Sequence, residues 1–135
     1  MNWTDAVISS LLPATLGILG VFVGSMVSKR ADHRHWLRER KVAAVSALVE
    51  DTSLLVERLR HDVPSTKQER AQWLHALQSG RTTIHLLCEQ ETIDAAEHLV
   101  KTTRALESDK TDEALRADIA ALKSFIRCAR REVLT

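Results

Sequence analysis

Six histidines and two cysteines are the side chains best able to bind a metal or attack a substrate, and their spacing limits what they can do. His85 and Cys88 stand three apart, which on a helix puts both on one face, and His75 precedes them on roughly the same side. A zinc or iron site needs a third and a fourth ligand, and no second matching pair occurs. His33 and His35 are two apart and would face different ways on a helix. The Glu-x-x-His repeat of di-iron bundles is missing as well. Cys88 and Cys128 have no CxxC partner, which is neither a disulfide framework nor a zinc spacing. At the edge of an apolar helical face a free cysteine behaves as a small hydrophobe. There is no glycine-rich phosphate loop, no GxSxG and no HExxH, and Glu50, Asp51 and Glu57 read as a solvated helix face. The expectation is no catalytic residue, no metal, no cofactor and no small-molecule substrate: the chain does not read as an enzyme.

The elements that hold these residues divide by charge. The 135 residues carry 19 basic and 18 acidic side chains, a net charge of +1, so the chain is no nucleic-acid-binding polycation. Residues 6–28, AVISSLLPATLGILGVFVGSMVS, carry no ionisable group at all. At about 1.5 Å per residue that run makes roughly 34 Å of helix, enough to cross a hydrocarbon core of about 30 Å. It is too long for the apolar part of a signal peptide, no basic residue precedes it and no A-x-A site follows. The reading is a transmembrane anchor over 1–28. Trp3 suits a membrane interface, and Pro13 would kink the helix or mark its start.

Lys29, Arg30, Arg34, Arg38, Arg40 and Lys41 crowd the following thirteen residues, whereas Asp5 is the one charged side chain before the span. The positive-inside rule then places the N-terminus outside and the C-terminal part in the cytoplasm, a single-pass protein of the cell (inner) membrane. Residues 29–41 form a basic juxtamembrane stalk that continues the membrane helix. Lys29, Arg30, Arg34 and Arg38 are its candidate contacts to lipid headgroups. Within the span, Gly17, Gly20 and Gly24 share one face in a GxxxG pattern, the candidate surface for self-association.

Residues 42–135 read as a helical bundle. Val45, Leu48, Val49, Thr52, Leu55, Val56 and Leu59 form one helical stripe that ends near Arg60, before Pro64. Ser65-x-x-Gln68 or Thr66-x-x-Glu69 offers a capping box for a second helix over about 66–89, with Trp73, Leu77, Gly80, Ile84 and Leu87 on its inner face. Gly80 lies on that face, which points to close packing rather than a break. A third helix presents Ile93, Ala96, Leu99, Val100, Thr103 and Leu106. A fourth, capped by Asp109 or Thr111 and running over about 111–134, presents Leu115, Ile119, Leu122, Ile126, Ala129 and Val133. The fold class expected is all-α: a transmembrane helix plus a cytoplasmic antiparallel bundle of three to four helices. In that topology Cys88, Cys128, Arg127, Arg130 and Arg131 lie at the membrane-proximal end.

The junction GSMVSKRADHRHWLRERKVAAVSALVE and the ending SFIRCARREV, an F-x-x-A/C-x-R-x-E pattern, resemble a recurrent type of small actinobacterial and phage-encoded single-span membrane protein. There a glycine-rich span runs into an Arg-rich, Trp-containing helix and then an apolar helical domain. The resemblance implies the same topology and carries over no site. The function expected is a membrane-tethered interaction module, an adaptor or regulator with phage or defence associations. Its expected partners are membrane lipid and a protein, a homo-oligomer included, and no nucleic acid. The alternative expectation is a small oligomeric membrane effector, holin-like or depolarising.

Overall fold

The computed structural model describes the backbone of residues 3–135 and the surroundings of side chains from residue 20 onward. Among the described residues there are four α-helices and no strand: α1 (Trp3–Arg60), α2 (Lys67–Leu87), α3 (Gln90–Ser108) and α4 (Asp112–Leu134). The chain falls into two compact units, Met1–Leu37 and Arg38–Thr135. Residues 29–41 and the amphipathic stripe that follows belong to one uninterrupted helix, α1. Among the described residues no helix is long and apolar enough to cross a membrane. Residues 6–19 of the proposed span, with Pro13 and Gly17, lie outside the residues whose side chains are described.

In the unit Arg38–Thr135, the end of α1 and the starts of α2 and α4 have legible local reasons. At the C-terminus of α1, Asp62 adopts a left-handed conformation with φ 48°. The Val63 N–H reaches back to the Arg58 carbonyl at 3.1 Å and the Asp62 N–H to the Leu59 carbonyl at 3.4 Å, the paired closure of a Schellman motif. Thr66 then caps α2 by accepting from the Glu69 N–H at 3.2 Å, while the Glu69 carboxylate accepts from the Thr66 N–H at 3.3 Å. Of the two capping boxes that the sequence offered, Thr66/Glu69 forms. Thr111, not Asp109, caps α4.

Successive helices run antiparallel, and contacts between opposite ends show it. Arg58 near the end of α1 meets Glu69 near the start of α2 at 3.7 Å and stacks over Trp73. Arg70 and Glu107 join the start of α2 to the end of α3. Glu91 and Arg131 join the start of α3 to the end of α4 at 3.0 Å. Lys41 on α1 pairs with Glu132 on α4 at 2.6 Å. The core these helices enclose takes Ala44, Leu48 and Leu55 from α1, Leu77 and Ile84 from α2, four residues of α3, and Ala121 and Phe125 from α4. α1 is therefore a full wall of the bundle rather than a stalk beside three helices.

The inner faces of α2 and α3 follow the sequence pattern. Every apolar residue expected inside α3 is buried. α2 runs unbroken through Gly80, where an added Cβ would stand 3.3 Å from Leu48 Cδ1 and 3.9 Å from Leu48 Cα. The glycine lets the backbones of α1 and α2 approach. α4 differs from expectation. Its buried residues are Asp118, Ala121, Phe125 and Ala129, while Ile119 and Ile126 are each 42% exposed. The helix is turned by about three-quarters of a residue step from the face that the apolar pattern gave. The cause is a buried polar contact: Asp118 Oδ1 receives the hydroxyls of Thr103 at 2.7 Å and Thr102 at 3.1 Å. A carboxylate so partnered can occupy a core position that hydropathy alone would deny it.

Two substitutions check this packing by chemical denaturation of the full chain followed by circular dichroism. Phe125→Ala removes a fully buried ring and should cost about 4 kcal/mol. Gly80→Leu drives a side chain into Leu48 and should cost about 2 kcal/mol. An unchanged midpoint for Gly80→Leu would refute close approach of α1 and α2 there.

Candidate functional site

Two sets of residues stand out: the outward surface of α1 before Arg38, and a polar node at the Lys41 end of the bundle. On α1, Val21, Phe22 and Val23 are 74%, 66% and 57% exposed. Successive residues on a helix point about 100° apart, so these three alone spread apolar surface around most of its circumference. Met26 and Val27 are exposed as well. Gly20 and Gly24 are one turn apart, with no atom within 4 Å of the place a Cβ would occupy. Gly17, the third residue of that face, lies outside the described residues. Lys29, Arg30 and Arg34 follow, all exposed, and His33 stacks on Trp36 with ring centroids 5.9 Å apart. Arg38, the fourth cation assigned to headgroups, is exposed at the first position of the second unit.

The node was invisible in sequence, because its members come from α1, α3, α4 and the α2–α3 link. Glu132 is at its centre, with its side chain only 6% exposed. One oxygen, Oε1, accepts from Lys41 Nζ at 2.6 Å and from the Glu89 N–H at 3.1 Å. Glu89 is the N-cap of α3 and makes no capping bond with its own side chain. Glu132 of α4 thus serves the N-terminus of α3, where a carboxylate is favoured by the helix dipole. The Thr92 hydroxyl lies alongside and also favours the charged carboxylate. It falls outside hydrogen-bond geometry, so Oε2 is buried with no partner. Burial alone would push the Glu132 carboxyl up. The hydrogen bonds from Lys41 and the Glu89 amide, the nearby Thr92 hydroxyl and the Lys41 charge outweigh it and hold the group below its usual range.

Cys88, the C-cap of α2, adjoins this node. Burial first, and the Glu132 charge second, push its thiol up to about 11, with Lys41 pulling the other way. At neutral pH it is a protonated thiol and a poor nucleophile. Cys128 is 3.9 Å from Glu91, and both cysteines are free. His85 does not join Cys88 as a ligand pair. Its ring meets Glu97 at 2.7 Å, and Arg81 holds the same carboxylate oxygen. Burial raises the Glu97 carboxyl, and the bonds from His85 and Arg81 overcome it and lower the group. Among the described residues no three histidine, cysteine or acidic side chains are grouped so as to hold a metal ion. The arrangement locks helices together.

The node gives two predictions. The folded pKa of Glu132 lies below its ordinary value near 4.5. Its pairing therefore adds stability that is fully present above about pH 4.5 and is lost as the pH falls through the lower folded value. Glu132→Gln should lower stability by about 2 kcal/mol at pH 7 and flatten the acid limb of a stability–pH curve; an unaltered limb would place the acid sensitivity elsewhere. The same substitution removes a negative charge beside Cys88. Alkylation of Cys88 should be slow at pH 8, rise steeply above pH 10, and shift to lower pH in Glu132→Gln; fast alkylation of the unaltered chain at pH 7 would contradict the protonated thiol. Compared with known proteins, the chain matches no family, no curated protein and no solved structure.

Proposed function

We propose that the chain is a membrane-tethered helical interaction module. The N-terminal part of α1 would serve as its anchor, and the four-helix unit would present surfaces to a protein partner on the cytoplasmic side. The observation that carries this reading is the uncharged, all-round exposed apolar surface of residues 20–28 followed at once by exposed Lys29, Arg30 and Arg34. Contiguous apolar surface of that kind favours a lipid or protein covering over water. Cations directly beyond it suit the negative inner leaflet, each worth about 1 kcal/mol near the surface. The uncharged run 6–28 has the length of a span, and the charge asymmetry of its flanks orients the N-terminus outward. Gly20 and Gly24, with open space beside each, favour one second reading, an oligomeric membrane effector, holin-like or depolarising.

Membrane fractionation of the full chain tests the anchor. The protein should resist alkaline extraction and float with liposomes. Changing Lys29, Arg30, Arg34 and Arg38 to Glu should weaken the preference for anionic lipid by about fivefold per charge removed. Recovery in the alkaline supernatant would refute the tether. Collapse of membrane potential on expression, read with a voltage-sensitive dye, would shift the reading to the oligomeric effector.

A further inference from the structure

The turn of α4 has a consequence at the surface. With Phe125 and Ala129 inward, Ile119 and Leu122 flank the seam between α4 and α1, and Ile126, seven residues after Ile119, stands on the same helical face. On the α1 side Val56 lines the same seam, and Val49 and Val42, seven and fourteen residues earlier, stand on the same helical face. Ile119 and Leu122 share one cleft with Val56 and Glu57. Val42, Ile119 and Ile126 are each more than two-fifths exposed. The rims of this apolar strip are charged oppositely. Glu50 and Glu57 stand on the outer edge of α1, seven residues and so two turns apart. Arg116 and Lys123 stand on the outer edge of α4 at the same spacing. Among the described residues neither Arg116 nor Lys123 has an ion-pair partner within the chain. Glu57 also meets His61 at 3.1 Å in an exposed pair, a contact of little strength.

The levels of these charges match. Lys41 pairs with Glu132, which fixes one level shared by α1 and α4. Nine residues on along α1 stands Glu50, and nine back along the antiparallel α4 stands Lys123. Seven more in each direction reach Glu57 and Arg116. Equal steps at about 1.5 Å per residue keep each acidic residue level with its basic counterpart. A twofold axis parallel to the helices preserves level, so it would set α1 of one copy against α4 of the other. Glu50 would then face the partner's Lys123, and Glu57 the partner's Arg116, on both sides of a shared apolar strip. This is the self-complementarity that an isologous interface requires.

We infer that the α1/α4 face is the dimerisation surface of this protein, occupied by a second copy of the chain in parallel orientation. The inference concerns residues 38–135 and goes beyond the proposed tether, since it holds whether or not the preceding apolar run enters a bilayer. In such a dimer both copies present the Arg38 end of α1 on the same side.

Charge exchange tests it, with the full chain in mild detergent and self-association followed by sedimentation equilibrium. The unaltered chain should dimerise. E50K/E57K sets cations against cations and R116E/K123E sets anions against anions, so each should weaken the dimer by about tenfold or more. The quadruple variant should restore it. An equimolar mixture of the two double variants should form the mixed dimer, because each acidic edge then meets a basic one. Unchanged far-UV circular dichroism guards against loss of fold, and I126D, which alters the strip without the rims, should weaken every combination. A monomeric unaltered chain overturns the inference, as does a dimer indifferent to both double variants or a mixture that fails to pair. Loss of liposome flotation with the exchange pattern intact would refute the tether alone.

Discussion

Glu132 holds the register of the bundle. Its carboxylate is almost wholly buried and has one productive oxygen, on which a lysine from α1 and the first amide of α3 converge. A buried charge is tolerated only where such partners meet it, so sliding α4 against α1 or α3 would strand the carboxylate in an apolar setting. The apolar contacts of the core tolerate small shifts by repacking; the carboxylate does not. Fixing one level between α1 and α4 fixes every other level along both helices, from the Thr52 region to the far end, where Lys110 and Asp62 meet at 2.8 Å.

Much of this architecture was legible in the sequence, and the parts that were not share a cause. The four helices, the end of α1 near Arg60, the Thr66/Glu69 box and the inner face of α3 all depend on residues within a turn or two of one another. Local periodicity and capping chemistry reach that far. Gly80 was read correctly for the same reason: it sits in step with Leu77 and Ile84 and has no positive φ to explain it otherwise. The face of α4 failed because its decisive residue is Asp118. A periodicity argument assigns a carboxylate to the surface, and only the two threonines of α3 change that assignment. The node failed likewise, since Lys41 and Glu132 are 91 positions apart. Asp62, just past the expected end near Arg60, supplies the left-handed residue that closes α1.

The rotation of α4 also shows how one polar contact redistributes apolar surface. If Ile119 and Ile126 faced inward, Asp118 would leave the core and Phe125 would swing toward its edge. The observed solution buries the ring completely and lets Ala121 and Ala129 fill the narrower spaces beside it. Burying one aromatic ring in place of partly exposing two isoleucines is close to balanced in apolar area, so the hydroxyl contacts of Thr102 and Thr103 are enough to decide between the two faces. Those hydroxyls also approach the Leu99 carbonyl at 2.9 Å. Each has a single hydrogen to donate, so Asp118 and the α3 backbone share two hydrogens among four contacts.

The seams of the bundle are closed unequally, and this gives the surface its polarity. Between α1 and α2, Arg58 reaches both Glu69 and the face of Trp73. Between α2 and α3, Glu107 and Glu97 are met by Arg70 and by Arg81 with His85. Between α3 and α4, Arg131 meets Glu91 above the Thr103–Asp118 contact. Each of these seams is capped by polar side chains that bridge its own two helices. The α1–α4 seam is bridged at the Lys41 end and again beyond Asp62, and between those points valines face isoleucines beneath outward-pointing charges. A single copy leaves the acids of α1 and the bases of α4 separated by the width of an apolar strip. They are level with one another, and among the described residues they form no ion pair with each other. Arg116 and Lys123 have no ion-pair partner among the described residues, and the inferred dimer supplies each with one on the acidic edge of a second copy.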